Sequence, residues 1–73
     1  ETLYKLINSI GDTLSMTQAA SIVEFLVEKG IIKDREGNIM LAAVDNRAFN
    51  VESEIKNQLR ASIFKSMLAS LLR

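Results

Sequence analysis

The 73-residue sequence contains no cysteine, no histidine and no proline. Without cysteine there is neither a disulfide nor a thiolate site, and the chain suits a reducing compartment, so an intracellular, cytoplasmic setting is the default expectation. Without histidine the commonest zinc ligand and the commonest general base are missing. No proline-rich linker, internal repeat or low-complexity run divides the chain. The start, Glu1-Thr2-Leu3, lacks the basic opening and apolar core of a signal peptide. The longest unbroken apolar stretch, Ile39 to Val44, is far too short to cross a bilayer, so no membrane insertion is expected. There is no initiator Met, which suits a single domain, 1–73, excised from something longer. An excess charge is also missing: nine basic and nine acidic side chains cancel. A dedicated nucleic-acid binder normally carries a basic surplus, although distribution matters more than the sum.

What is present is an apolar fraction of 48%, ordinary for a globular domain and too high for a disordered one. A domain of this length holds a marginal core and usually needs a staple. With disulfides and zinc set aside, close packing or a partner chain must supply it.

Leu3, Leu6, Ile7 and Ile10 recur at helical spacing, predicting a first helix over roughly 2–10 with Thr2 as N-cap and Gly11 as a left-handed stop. Ser15-Met16-Thr17-Gln18 reads as a capping box. The helix it opens runs to about Lys29, with Gly30 as its stop, and is apolar on most sides, as a central helix is. Ile31-Ile32-Lys33 and Ile39 to Val44 flank the polar stretch Asp34-Arg35-Glu36-Gly37-Asn38, the pattern of a β-hairpin packed on helices. A competing reading makes Asn38 to Val44 the start of a helical turn, because Met, Leu and Ala favour helix. Asp45 to Phe49 connects to a last helix capped by Asn50, with Glu52 and Glu54 in its first turn. The expected fold is mainly α: three helices with a small hairpin, in order α-α-β-β-α, a small helical or winged-helix-like domain.

Catalysis is excluded on residue types, since nucleophilic chemistry needs a base beside Ser, Cys or Lys. Glu24 and Glu28 lie one turn apart on a helix, a spacing that a solvated face produces equally well. No cofactor, metal or small-molecule substrate is expected. Aligning Gly37 with the central glycine of a calcium loop puts Ile32 and Ala43 at positions that require oxygen ligands, so 34–38 is a turn. Ser15 is a cap rather than the modified serine of an acyl carrier protein, which follows a longer helix and loop.

Two association readings remain. Glu28 to Asp34 followed by Asn38 to Leu41 resembles the junction of recognition helix and wing in winged-helix regulators. On that alternative, a DNA-binding transcriptional or replication regulator, Lys33 and Arg35 reach phosphates from the wing and Lys29 lies on the recognition helix. Against it, Glu24 and Glu28 would face phosphates, and the stretch before Gly30 is short for the two helices required. The favoured reading centres on the last helix. Val51, Ile55, Leu59, Ile63, Met67 and Leu71 recur every four residues, drifting roughly 40° around the axis at each step. Phe64, Leu68, Ala69 and Leu72 widen the apolar face further, and exposed faces of that kind mark interfaces. From Ile55 on the chain holds Lys56, Arg60, Lys65 and Arg73 and no acid. Phe64, Met67, Leu68, Leu71 and Leu72 are the expected anchors, with Arg60 and Lys65 on the rim, of a protein-protein interaction or dimerisation module. A homodimer is the simplest outcome.

The segment Ile55-Lys56-Asn57-Gln58-Leu59-Arg60-Ala61-Ser62-Ile63-Phe64 resembles the helix that precedes the LisH motif in FOP and Tonneau-type centrosomal proteins. That resemblance covers ten of the seventy-three residues and implies a dimerising, non-enzymatic scaffold.

Overall fold

A computed structural model describes residues 2–71, with side chains from Leu3 onward. It holds four α-helices and one 3-10 turn: α1 (Thr2–Ser9), α2 (Met16–Glu28), α3 (Asp34–Ala43), the 3-10 turn Asn46–Ala48 and α4 (Ser53–Ser70). No strand occurs among the described residues, so the expected hairpin, and with it any wing, is replaced by a helix. α2 lies between α3 and α4, and α1 packs on α4.

α1 turns Leu3, Leu6, Ile7 and Ile10 toward the core. It begins at Thr2 itself rather than being capped by it. Its end is finished by the Ser9 hydroxyl, which donates to the Leu6 carbonyl at 2.8 Å. Gly11 does not take a left-handed conformation; among the described residues only Gly30, at φ 77°, does.

α2 is built as its local sequence dictates. The Gln18 amide donates to Ser15 Oγ at 3.1 Å, and the Ser15 amide donates to Gln18 Oε1 at 2.9 Å. At the other end Gly30 N–H donates to Val27 O and Ile31 N–H to Leu26 O, the paired closure that a left-handed glycine permits.

α3 occupies the segment read as a hairpin, for three reasons. Asp34 and Glu36 sit in its first turn, where the helix dipole favours acids. The Glu36 carboxylate accepts the Lys33 amide at 2.7 Å. Gly37 marks no turn: a Cβ there would lie 2.6 Å from Val23 Cγ1, so the missing side chain lets α3 press against α2. The helical reading of Asn38 to Val44 thus describes the second half of an element that starts at Asp34.

The last helix starts at Ser53 rather than after Asn50, with Glu52 at the cap position and Glu54 in the first turn. The core between the helices is formed by Ile10, Leu14, Val23, Leu26, Ile32, Met40, Val44, Phe64 and Leu68, with Ala19 and Ala61 where helices approach closely.

Candidate functional site

α4 carries two apolar faces with different fates. The inner face consists of Arg60, Ala61, Phe64 and Leu68, all buried. Arg60, Phe64 and Leu68 follow one another at four-residue spacing, so the arginine belongs to the same strip as the two hydrophobes. Its side chain is fully enclosed. Nε donates to the Val44 carbonyl at 2.9 Å, and Nη1 donates to the Leu14 carbonyl at 2.5 Å and to Asn57 Oδ1 at 2.6 Å. Among the described residues no carboxylate pairs with it and Nη2 has no partner. Val44 ends α3, and carbonyls at a helix C-terminus carry the partial negative charge that a cation needs there. The Leu14 amide in turn donates to the Asn57 carbonyl at 3.0 Å. One guanidinium therefore ties together the loop before α2, the end of α3 and the middle of α4.

The outer face is the four-residue stripe. Val51, Ile55 and Leu59 are 41%, 42% and 38% exposed, and Leu71 is 37% exposed. Between them Ile63 and Met67 are half-buried. In its first half the stripe stands on the far side of α4 from Arg60 and Phe64, and its drift brings the later residues toward the core. Lys56 and Lys65 are half-buried on opposite sides of α4.

The residues singled out from sequence are thus divided. Phe64, Leu68 and Arg60 are enclosed by their own chain, Met67 and Lys65 are half-buried, Leu71 is exposed, and Leu72 lies outside the described residues. Val51, Ile55 and Leu59 were visible in the spacing and, with Leu71, are the large apolar residues of this segment left in solvent. Of the basic set assigned to a wing, Lys29 closes α2 with its Nζ 5.8 Å from the Phe25 ring centroid. Lys33 precedes α3 and Arg35 lies in its first turn. These three are exposed on helix ends, with no wing to carry them.

Two open clefts flank α2. One of about 430 Å³ is lined by Leu6, Ile10, Leu14, Thr17, Gln18 and Ile22 among others, and contains no ionisable side chain. The other, of about 390 Å³, lies between α2 and α3, with Ala20, Val23, Val27 and Leu41 as apolar lining and Glu24, Glu28 and Asp34 at its rim. Among the described residues no three His, Cys, Asp or Glu side chains converge as a metal site would require, and no helix is long and apolar enough to cross a membrane. The one ion pair among the described residues, Arg47 to Asp45 at 3.1 Å, lies at the surface.

A four-helix domain with a closed inner core and an uncovered apolar stripe belongs to the class of small helical association domains. The sequence matches the CtsR C-terminal dimerization domain family over residues 1–69, and the chain belongs to that family. It is 30% identical over 71 residues to the transcriptional regulator CtsR of Geobacillus stearothermophilus, covering 97% of this chain and 46% of the relative. With the transcriptional regulator CtsR of Staphylococcus haemolyticus the identity is 32% over 63 residues, covering 86% of this chain and 41% of the relative. The crystal structure of CtsR in complex with a 26bp DNA duplex superposes with a TM-score of 0.92 at 28% identity, over 97% of this chain and 47% of that one. The chain therefore spans a little under half the length of the relatives it matches. The relatives are regulators of transcription, not enzymes. Their match across nearly the whole chain overturns the resemblance to centrosomal proteins: residues 55–64 are the first turns of α4 in this family's domain, and their likeness to the pre-LisH helix is the common pattern of amphipathic helices.

Proposed function

We propose that this domain pairs two copies of a bacterial transcriptional regulator, using the outer stripe of α4 as the contact surface. The observation that carries the reading is Ile55 and Leu59, apolar and in solvent on the side of α4 away from the core, with exposed Val51 just ahead of the helix. Leu71, exposed where α4 ends, adds apolar surface next to the core-packed Met67. Phe64, Leu68 and Arg60 serve it indirectly, by fixing α4 on the bundle. Membership of a dimerization family supports the same conclusion. Two-fold pairing suits a regulator that acts in the cytoplasm on duplex DNA, because a symmetric dimer presents two reading heads to two half-sites. Since a relative has been solved on a DNA duplex, DNA contact in the whole regulator is the corresponding proposal, made by a portion other than this domain.

Light scattering and sedimentation of the chain test the reading. Self-association at micromolar concentration is expected, and Ile55→Asp with Leu59→Asp should yield folded monomers. A compact monomer at high micromolar concentration would remove the self-association reading, and an unaltered dimer in the double variant would remove the stripe.

A further inference from the structure

The solvent face of α4 differs from that of the other helices. α1 exposes Lys5, α2 exposes Glu24 and Glu28, and α3 exposes Asp34, Arg35 and Glu36. On α4 every exposed residue from Ile55 to Ser70 is uncharged, and Lys56 and Lys65 sit half-buried on opposite flanks. A helix that faces water ordinarily carries charge on its outer side, and depletion of charge marks the centre of an interface. Within this face Ile55, Leu59, Ser62, Ser66 and Ala69 follow one another at alternating steps of four and three, the spacing of a coiled-coil seam. At 3.6 residues per turn they stay within about 80° of one another, opposite the buried Phe64. The row at four-residue steps leaves this line after Leu59, because Ile63 and Met67 turn onto the core. The seam is lopsided: its first half is Ile and Leu, its second half Ser, Ser and Ala. Serine on such a face does not depend on water. Ser70 already donates to the Met67 carbonyl at 2.7 Å, and the same return bond to the preceding turn is open to Ser62 and Ser66.

Resting on the reading that this chain pairs with itself through α4, we propose that the two α4 helices run antiparallel along this seam, with the two-fold axis beside Ser62. A two-fold contact sets residue i of one copy on residue j of the other and j on i. Around Ser62, that rule lays Ile55 and Leu59 of each copy over the small residues Ser66 and Ala69 of its partner. Large side chains then fill the room left by small ones, as close packing requires. Parallel pairing would set Ile55 on Ile55 and Leu59 on Leu59, and would leave the serines and the alanine facing one another across a gap. A small residue at the axis also lets the helices approach to about 8 Å, the near end of the usual range. The occupant is a second copy because the pattern completes itself: one helix supplies both the protrusions and, in matching order, the recesses. The family to which the chain belongs is one of dimerization domains.

Spin-label distances in the dimer read the orientation. The chain has no cysteine, so Glu54→Cys, Lys65→Cys and Ser70→Cys each take a single nitroxide. Glu54 and Ser70 each lie eight positions from Ser62, so antiparallel pairing separates like labels by more than about 20 Å at both ends of the helix. Labels at residue 65, three positions from the axis, should be much closer together. A parallel pair gives one similar, short separation at all three sites. Independently, Ser62→Leu should drive a wedge between the helices at the axis and weaken dimerisation at least about tenfold in sedimentation. Its circular dichroism should match that of the wild type, because residue 62 is exposed in the monomer. Similar separations at the three sites, or a folded Ser62→Leu chain that dimerises like the wild type, overturn the proposal while leaving self-association through α4 intact. A wild-type chain that stays monomeric overturns the reading beneath it as well.

Discussion

The two sides of α4 invert the usual distribution of residue types. The inner side encloses an arginine completely, while the outer side leaves an isoleucine and a leucine in solvent. Ordinarily charged side chains avoid full burial and large aliphatics seek it. The difference teaches that burial here is decided by what each side can meet. Inside, the guanidinium finds three oxygen acceptors, two of them main-chain carbonyls at the ends of other segments. Outside, Ile55 and Leu59 are covered only in part by their own chain and stay 42% and 38% exposed. The arginine is held in by acceptors for its Nε and Nη1, and the hydrophobes left out are the surface proposed to meet a second copy.

Breaking the inner side should have the largest effect. Arg60→Ala removes the donors to Leu14 and Val44 and leaves both carbonyls without their partner. A cost of about 3–5 kcal/mol is expected, comparable to removal of one member of a buried polar pair. A domain of this size holds on the order of 4–11 kcal/mol in total. Chemical denaturation followed by circular dichroism would then show a midpoint that falls far or vanishes, and an unchanged midpoint contradicts the role given to Arg60. The outer side should respond more weakly. Ile55→Ser with Leu59→Ser trims side chains that are 42% and 38% exposed, so monomer stability measured at low concentration should fall by only about 1–2 kcal/mol, less than for Arg60→Ala. A large loss there would mean that the stripe is part of the core after all.

The smallest expected effect sharpens the contrast between arginines. Arg47, unlike Arg60, lies at the surface and has a carboxylate partner. Its side-chain hydrogen bond to Asp45, followed by its main-chain N–H on the same carboxylate, holds the Asp45 pKa below the ordinary 3.8. A depressed acid pKa contributes stability above the unfolded value and loses it as pH falls through the folded one. The stability difference between wild type and Asp45→Asn should therefore be small at neutral pH and shrink further as pH drops below about 4. A difference that grows in acid would reverse the assignment.

Sequence reasoning located the elements whose signals are local. The Ser15–Gln18 box and the Gly30 stop bound α2 on both sides, and both features are present in the structure. It failed on α3 because Gly37 and Asn38, flanked by charges, match a turn. The reason for that glycine is a contact with Val23, fourteen positions earlier, which no local window contains. On α4 the four-residue spacing exposed the stripe, but spacing cannot say which of two apolar faces meets the bundle. Phe64 and Leu68 were therefore assigned to the partner when the core had claimed them. Arg60 was placed at the rim on charge alone. Its position four before Phe64 and eight before Leu68, on their strip, was the available sign that it points inward.

The Arg60 side chain reaches a carbonyl 46 positions away and another 16 positions away. Such a clasp has a consequence for the order of assembly. A chain growing from its N-terminus cannot fasten the loop before α2 or the tail of α3 until the first two turns of the last helix exist, so the bundle closes late and as a unit. Slow exchange of amide protons in α2 and α3 then depends on a residue that neither helix contains, and any event that loosens α4 is felt at once at the opposite end of the sequence.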